Sequence, residues 1–173
     1  MESKPSGFNY ERTKDEPMPT GLKRAMERAP KKEQALDLGA GSLYVSRYLL
    51  DDGFGHVDAV DRNPHIAQYV EEQKLQDREL TLYTSAFEDF EFSKNKYDLI
   101  HAGYSLPFIR PEQFSRVIGD IKESLVDGGV LRAEFFGTNH AFASNPAMTF
   151  LTREELIEYF QDMSQCEIQL IPA

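Results

Sequence analysis

Apolar positions along the chain fall into two alternating patterns. Short, nearly continuous apolar runs that stop at glycine or a polar residue predict buried strands. They are Gln34–Leu38, His56–Val60 closing on Asp61, Leu80–Thr84, Tyr97–His101 and Val130–Phe136, with a sixth at Glu167–Ile171. Between them, apolar residues recur at spacings of three and four, the signature of amphipathic helices. Leu22, Ala25, Met26 and Ala29 form the first stripe, which Pro30 ends. Val45, Tyr48 and Leu49 form the second, closed by Gly53 and Gly55. Asn63-Pro64 opens a third, through Ile66, Tyr69, Val70 and Leu75, with proline in the first turn, where its missing N–H costs nothing. Pro111 opens a fourth, through Phe114, Val117, Ile118, Ile121 and Leu125, and Asp127-Gly128-Gly129 is a turn before the fifth strand. Thr152 and Glu155 have the spacing of a capping box ahead of Leu156, Ile157, Tyr159 and Phe160.

Strands alternating with helices predict a three-layer, doubly wound α/β fold on a mostly parallel sheet, covered on both faces. Ligands of such sheets bind beyond the carboxyl ends of the strands, which directs attention to the residues just after each one. Residues 1–16 are polar and read as a flexible leader or lid, and residues 17–173 as a single domain. The length of 173 residues suits one core.

Composition narrows the chemistry. With 40% hydrophobic and 28% charged residues the chain is an ordinary globular one. Its net charge of −10 disfavours a nucleic-acid substrate, which needs a basic face to displace counterions. Cys166 is the single cysteine, so neither an internal disulfide nor a multi-thiolate metal site is expected. Four scattered histidines without paired spacing give no metal site either. No apolar run marks a signal peptide or a membrane span, and the expected compartment is the cytoplasm.

The first strand runs into Leu36-Asp37-Leu38-Gly39-Ala40-Gly41. Glycines let the backbone turn sharply and approach a ligand, and a helix starting near Ser42 would aim free amides at it. Dinucleotide enzymes share this device, but their G-x-G-x-x-G pattern fails at Tyr44. A carboxylate such as Asp37 would repel a pyrophosphate, yet accepts hydrogen bonds from an ammonium group. Asp61, at the end of the second strand, is placed to hold both hydroxyls of a ribose.

At these residues the sequence resembles the class I S-adenosylmethionine-dependent methyltransferases, whose first motif is an acidic residue followed by x-G-x-G-x-G. Leu43 stands where that motif has its third glycine. The resemblance extends over about residues 33–160. It implies a Rossmann-like methyltransferase fold with S-adenosylmethionine as cofactor. Asp37, Gly39, Ala40 and Gly41 would hold its methionine part and Asp61 its ribose. Arg62, Asn63, Ala86 and Phe87 would lie by the adenine, and Ala102 where donor and acceptor meet. Asp98 would be structural. The family's last, antiparallel strand is expected to be missing, because the chain ends just after its sixth candidate strand. Pairing of the open edge with a second copy is one way to finish the sheet, giving a possible homodimer.

Methyl transfer is an in-line displacement that chiefly requires alignment and a dry pocket. Three segments are candidates to shape the acceptor pocket: His101 to Phe108, Phe135 to Phe142, and the leader with Phe8, Tyr10 and Arg12. They supply many aromatic rings and few cations, which favours a small, partly apolar acceptor. His140 is the first candidate for a general base, because histidine titrates near neutrality. His101 and Tyr104 are the other candidate catalytic residues. Three alternatives stand beside a small-molecule methyltransferase: a protein methyltransferase, a non-catalytic binder of the cofactor or its product, and a nucleotide-dependent oxidoreductase.

Overall fold

The computed structural model describes residues 13, 15–164 and 167. The leader residues Phe8, Tyr10 and Arg12, nearly all of the sixth candidate strand, and Cys166 lie outside them. Helix α1 (Leu22–Arg28) precedes β1 (Gln34–Leu38), α2 (Tyr44–Asp51) and β2 (His56–Asp61). A 3-10 turn at Ile66–Gln68 leads into α3 (Tyr69–Glu72), followed by β3 (Leu80–Thr84) and β4 (Tyr97–Ala102). A second 3-10 turn, Leu106–Phe108, precedes α4 (Pro111–Ser124), β5 (Leu125–Ala133) and α5 (Arg153–Phe160). The strands form one sheet in the order β3-β2-β1-β4-β5, with every pairing parallel. The predicted α/β architecture is therefore the one observed.

Two apolar cores account for the layers. Successive strand residues face opposite sides, so β1 sends Ala35 to one core and Leu36 and Leu38 to the other. The first core buries Leu22, Ala25 and Met26 of α1, Val45 and Leu49 of α2, and Tyr69 of α3 against Ala35, Val57, Ala59 and Leu99. The second buries Phe114, Val117, Ile118 and Ile121 of α4 and Phe160 of α5 against Leu36, Leu38, Val60 and Ile100. Helix α5 begins with the full capping box at Thr152 and Glu155. Asp98 is a structural acid: its carboxylate accepts the backbone N–H groups of Glu33 and Gln34, which lead into β1.

Two predicted elements differ. The third helix breaks into a 3-10 turn and one turn of α-helix. The fifth strand starts at Leu125 and ends at Ala133 instead of spanning Val130 to Phe136. Tyr97 pairs with Leu125 and Leu99 with Val130, so the Asp127-Gly128-Gly129 turn survives as an irregularity inside the strand, with Gly128 at φ 75°. Gly129 abuts the Val126 and Tyr97 carbonyl oxygens, which leaves no room for a side chain.

Candidate functional site

The glycine turn joins β1 to α2 at the carboxyl edge of the sheet. Gly39 has φ 77° and Gly41 φ 52°, values that L side chains resist. Leu43 takes the same left-handed conformation, at φ 60°, and its side chain is fully buried in the first core. This explains how the turn dispenses with a third glycine: burial of a leucine offsets the backbone strain. A Cβ on Gly39 would stand 2.4 Å from the Cβ of Ser105, whose hydroxyl donates to the Leu38 carbonyl at 2.7 Å. The loop after β4 is thereby clamped onto the turn.

The expected free amides are not what this turn presents. The Gly39 and Ala40 N–H groups both donate to the Val60 carbonyl, and the Gly41 N–H donates to Asp61 Oδ2 at 2.9 Å. Helix α2 begins at Tyr44, two residues later than predicted, after Leu43 N–H has bonded the Ala40 carbonyl. These amides, spent on protein oxygens, form no phosphate cradle, which counts against a pyrophosphate ligand.

Carboxylates flank the turn instead. Asp37 is 1% exposed; its Oδ2 accepts the Ser46 hydroxyl at 2.7 Å and its Oδ1 meets His101 Nδ1 at 3.2 Å. His101 Nε2 faces Arg132 Nη1 at 3.0 Å. Arg132 grips both carboxylate oxygens of Glu134 and donates to the Thr20 carbonyl. Asp61, 5% exposed, holds the Gly41 N–H on one oxygen and the Asn63 N–H on the other, at 2.8 Å. A carboxylate offers about four acceptor positions, more than the two bonds described for Asp37 use.

The other predicted residues fall around this pair. The Phe87 ring comes within 3.7 Å of the position of a Gly39 Cβ. Ser85, before Ala86 and Phe87, ties its N–H to the Asp61 carbonyl, so these residues adjoin the same edge. Arg62 lies over the Phe108 ring at 5.7 Å, and the Asn63 side chain accepts the His65 N–H. The Ala102 methyl is buried in the second core, and the Ala102 carbonyl accepts the Glu134 N–H. Gly103 lies against the His101 ring: a Cβ there would stand 2.9 Å from its Cε1. Tyr104 follows at φ 51°, half-exposed, with its ring 5.9 Å from that of Phe136. Burial and the Glu134 carboxylate raise its phenol above the ordinary range.

His140 stacks on Phe136, with ring centroids 3.9 Å apart and planes 6° apart. Its Nδ1 accepts the Phe142 N–H at 3.2 Å, so a base at that nitrogen would first have to give up this bond. His56 is at the opposite end of β2, bonded to Asp58 and Thr81, and His65 is exposed. Among the described residues no group of three or more His, Cys, Asp or Glu is arranged to hold a metal ion. No helix of the described residues is long and apolar enough to cross a membrane.

Three site residues escape a reading of the sequence. Arg132 and Glu134 alternate on and just after β5, and Arg132 is the register partner of His101. Two charges inside an apolar run were the available signal. Tyr44 reads as helix packing, and it does meet Tyr48 edge-on. Its phenol is nevertheless pushed up to about 12, first by burial and then by Asp37, Glu16 and Glu134, while Arg132 opposes them. Tyr44 therefore lies within electrostatic reach of Asp37 and Glu134.

A family model described as a methyltransferase domain matches residues 35–129, more than half of the chain. The chain belongs to this methyltransferase-domain family. No curated protein matches the sequence significantly. Among solved structures, one similar chain comes from the complex of the Haloferax volcanii Trm112 methyltransferase activator with a methyltransferase. It is 25% identical, with a TM-score of 0.67, over 81% of this chain and 64% of that one. A Leishmania major SAM-dependent methyltransferase is 15% identical, with a TM-score of 0.66, over 88% and 61%. The chain thus spans a little over three fifths of these relatives' length. A [4+2]-cyclase shares the fold at 18% identity and a TM-score of 0.62, over 80% and 53%, so the fold alone does not name the reaction.

The family's cofactor is S-adenosylmethionine, and the residues present fit it. Two buried carboxylates, on either side of a turn whose Gly39, Ala40 and Gly41 amides are spent, suit a cationic ligand bearing hydroxyls. They do not suit a phosphate.

Proposed function

We propose that the chain transfers a methyl group from S-adenosylmethionine to a small, partly apolar acceptor by in-line displacement. The observation that carries this reading is the placement of Asp37 and Asp61 about the glycine turn. Asp37, tied to Ser46 and His101, offers its remaining lone pairs to the ammonium of the methionine part. The Asp61 carboxylate takes the ribose hydroxyls, and Phe87, with the backbone around Ala86, borders the adenine. The bound cofactor supplies an electrophilic methyl carbon on a sulfonium. The protein aligns the acceptor and excludes water.

The described start of the chain supports the lid. The Thr13 hydroxyl bonds that of Ser42 at 2.9 Å, and the Glu16 carbonyl accepts the Tyr48 hydroxyl. The Thr20 carbonyl accepts Arg132 at 2.8 Å. Thr13, Glu16 and Thr20 thus touch the turn before α2, the middle of α2 and the end of β5 in succession. A homodimer through an open sheet edge is part of this proposal, and a strictly monomeric species by light scattering at micromolar concentration would remove it.

Calorimetry with S-adenosylmethionine, S-adenosylhomocysteine and NAD tests the reading. Binding of both adenosyl ligands without NAD is the expected result. No binding of either adenosyl ligand would overturn it.

A further inference from the structure

We propose that the acceptor is a planar aromatic or heteroaromatic molecule, received by a panel of rings around Phe136; this rests on the methyltransferase reading above. Four large apolar side chains are exposed among the described residues: Tyr104, Phe108, Phe142 and Ile157. Three of them border one ring system. Phe136 lies 5.9 Å from Tyr104, 6.4 Å from Phe108, 3.9 Å from His140 and 6.5 Å from Phe150, and Phe142 meets His140 at 5.1 Å. An exposed apolar patch gathered at one place marks a binding site, whereas scattered exposed residues do not.

The panel adjoins the donor seat through the chain itself. Tyr104 sits between Gly103, pressed on His101, and Ser105, pressed on Gly39. Its φ of 51° is strained for an aromatic residue, and the structure holds a half-exposed ring in that strained state. Strain maintained beside a site, with only half of the ring buried in return, is the mark of a functional position.

Ring geometry selects the class of ligand. Phe136 already accepts a planar heteroaromatic ring face to face, that of His140, with planes 6° apart. Phe150 flanks this pair, 6.5 Å from Phe136 and 6.3 Å from His140. The charges meeting the panel are Arg62 over Phe108 and, by the Tyr104 phenol, Glu134 with its ion-pair partner Arg132. Glu134 and Arg132 offset each other, so the panel suits a neutral or singly substituted ring. A polyphosphate would need a cationic cluster.

The test uses the full chain saturated with S-adenosylhomocysteine and titrated with two matched probes, 2-naphthol and its saturated analogue decahydro-2-naphthol. Non-specific apolar binding favours the saturated compound, whereas ring stacking favours 2-naphthol. We expect 2-naphthol to bind saturably and at least about tenfold more tightly, with ring-current shifts on its protons. Tyr104→Asn, which keeps a left-handed backbone and removes the ring, should weaken 2-naphthol several-fold and leave S-adenosylhomocysteine affinity unchanged. Equal affinities for the two probes, or unaltered 2-naphthol binding in Tyr104→Asn, would overturn this proposal alone. Failure of S-adenosylhomocysteine to bind would overturn the donor reading and this proposal with it.

Discussion

Asp37 and His101 are register partners on adjacent parallel strands, and their side chains meet at 3.2 Å on the α1/α2 face of the sheet. Arg132 is the next partner in the same row, on β5. Guanidinium groups only donate hydrogen bonds. His101 Nε2 must therefore accept from Arg132, which leaves the proton on Nδ1 to be donated to Asp37. The row fixes a neutral imidazole in one tautomer, and that imidazole fixes the Asp37 carboxylate.

This assignment separates two substitutions. Asn places a donor near the position of Nδ1 and Gln near that of Nε2. His101→Asn should keep S-adenosylhomocysteine affinity within a few-fold, whereas His101→Gln should lose about tenfold, or about 1.4 kcal/mol. Proton–nitrogen NMR on labelled wild-type protein should place the ring proton on Nδ1. A proton on Nε2 would reverse the assignment.

Asp61 has a structural task and a ligand task. It joins the Gly41 and Asn63 amides, and in the proposed reading the same carboxylate takes the ribose hydroxyls. Hydrogen bonds to a charged group contribute about 1.5–3 kcal/mol each. Asp61→Ala should therefore lower S-adenosylhomocysteine affinity by more than about tenfold. 2′-Deoxy and 3′-deoxy analogues should each recover less of the wild-type difference. Unchanged affinity in calorimetry would show that the ribose lies elsewhere.

The placement of the candidate residues was legible in the sequence. Asp37, Gly39, Gly41 and Asp61 lie at or just past strand ends, where a parallel sheet binds its ligands, and the glycine turn with its flanking acids singled them out. The spent amides of the turn were not legible, because their acceptors, Val60 and Asp61, come from the next strand. Arg132 and Glu134 were missed for a similar reason: a charge within an apolar run gains meaning only from its register partner, here His101. Tyr44 reads as packing because it opens α2 beside Tyr48; the carboxylates that raise its phenol come from β1, from the residue after β5 and from Glu16. The β5 boundaries escaped because Gly128 and Gly129 read as a turn, yet stay within the strand as an irregularity.

Gly39 should be intolerant of any side chain. Alanine there combines φ 77° with a 2.4 Å approach to the Ser105 Cβ. Strain and overpacking together should destabilise Gly39→Ala by about 3 kcal/mol. Ser105→Gly removes the opposing atom, so the double variant should recover part of that loss although Ser105→Gly also loses its bond to Leu38. Urea denaturation of the four proteins measures the coupling, and simple additivity would exclude the steric explanation.

Tyr44 predicts a pH dependence with a definite sign. Its phenol titrates at about 12 in the folded chain, against 10.0 for the free side chain. The folded state therefore binds more protons than the unfolded state between these values, and stability falls as pH rises from about 10 to 12. Below pH 10 this group contributes no slope. Tyr44→Phe should have a shallower alkaline loss of stability than the wild type over that window. Parallel profiles in chemical denaturation would place the Tyr44 hydroxyl outside the carboxylate cluster.

Tyr104 exchanges stability for an exposed ring. Its left-handed φ of 51° costs on the order of 1 kcal/mol, and its half-exposed side chain returns little burial energy. Asparagine tolerates the left-handed region because its short polar side chain bonds locally. Tyr104→Asn should thus raise the melting temperature by about 1–4 °C, the shift expected of about 0.5–1 kcal/mol in a domain of this size. The gain should come with weaker binding of a planar ligand, the trade-off expected where strain serves a site. A lower melting temperature in scanning calorimetry would mean that the ring's contact with Phe136 outweighs the backbone strain, and that Tyr104 serves the fold first.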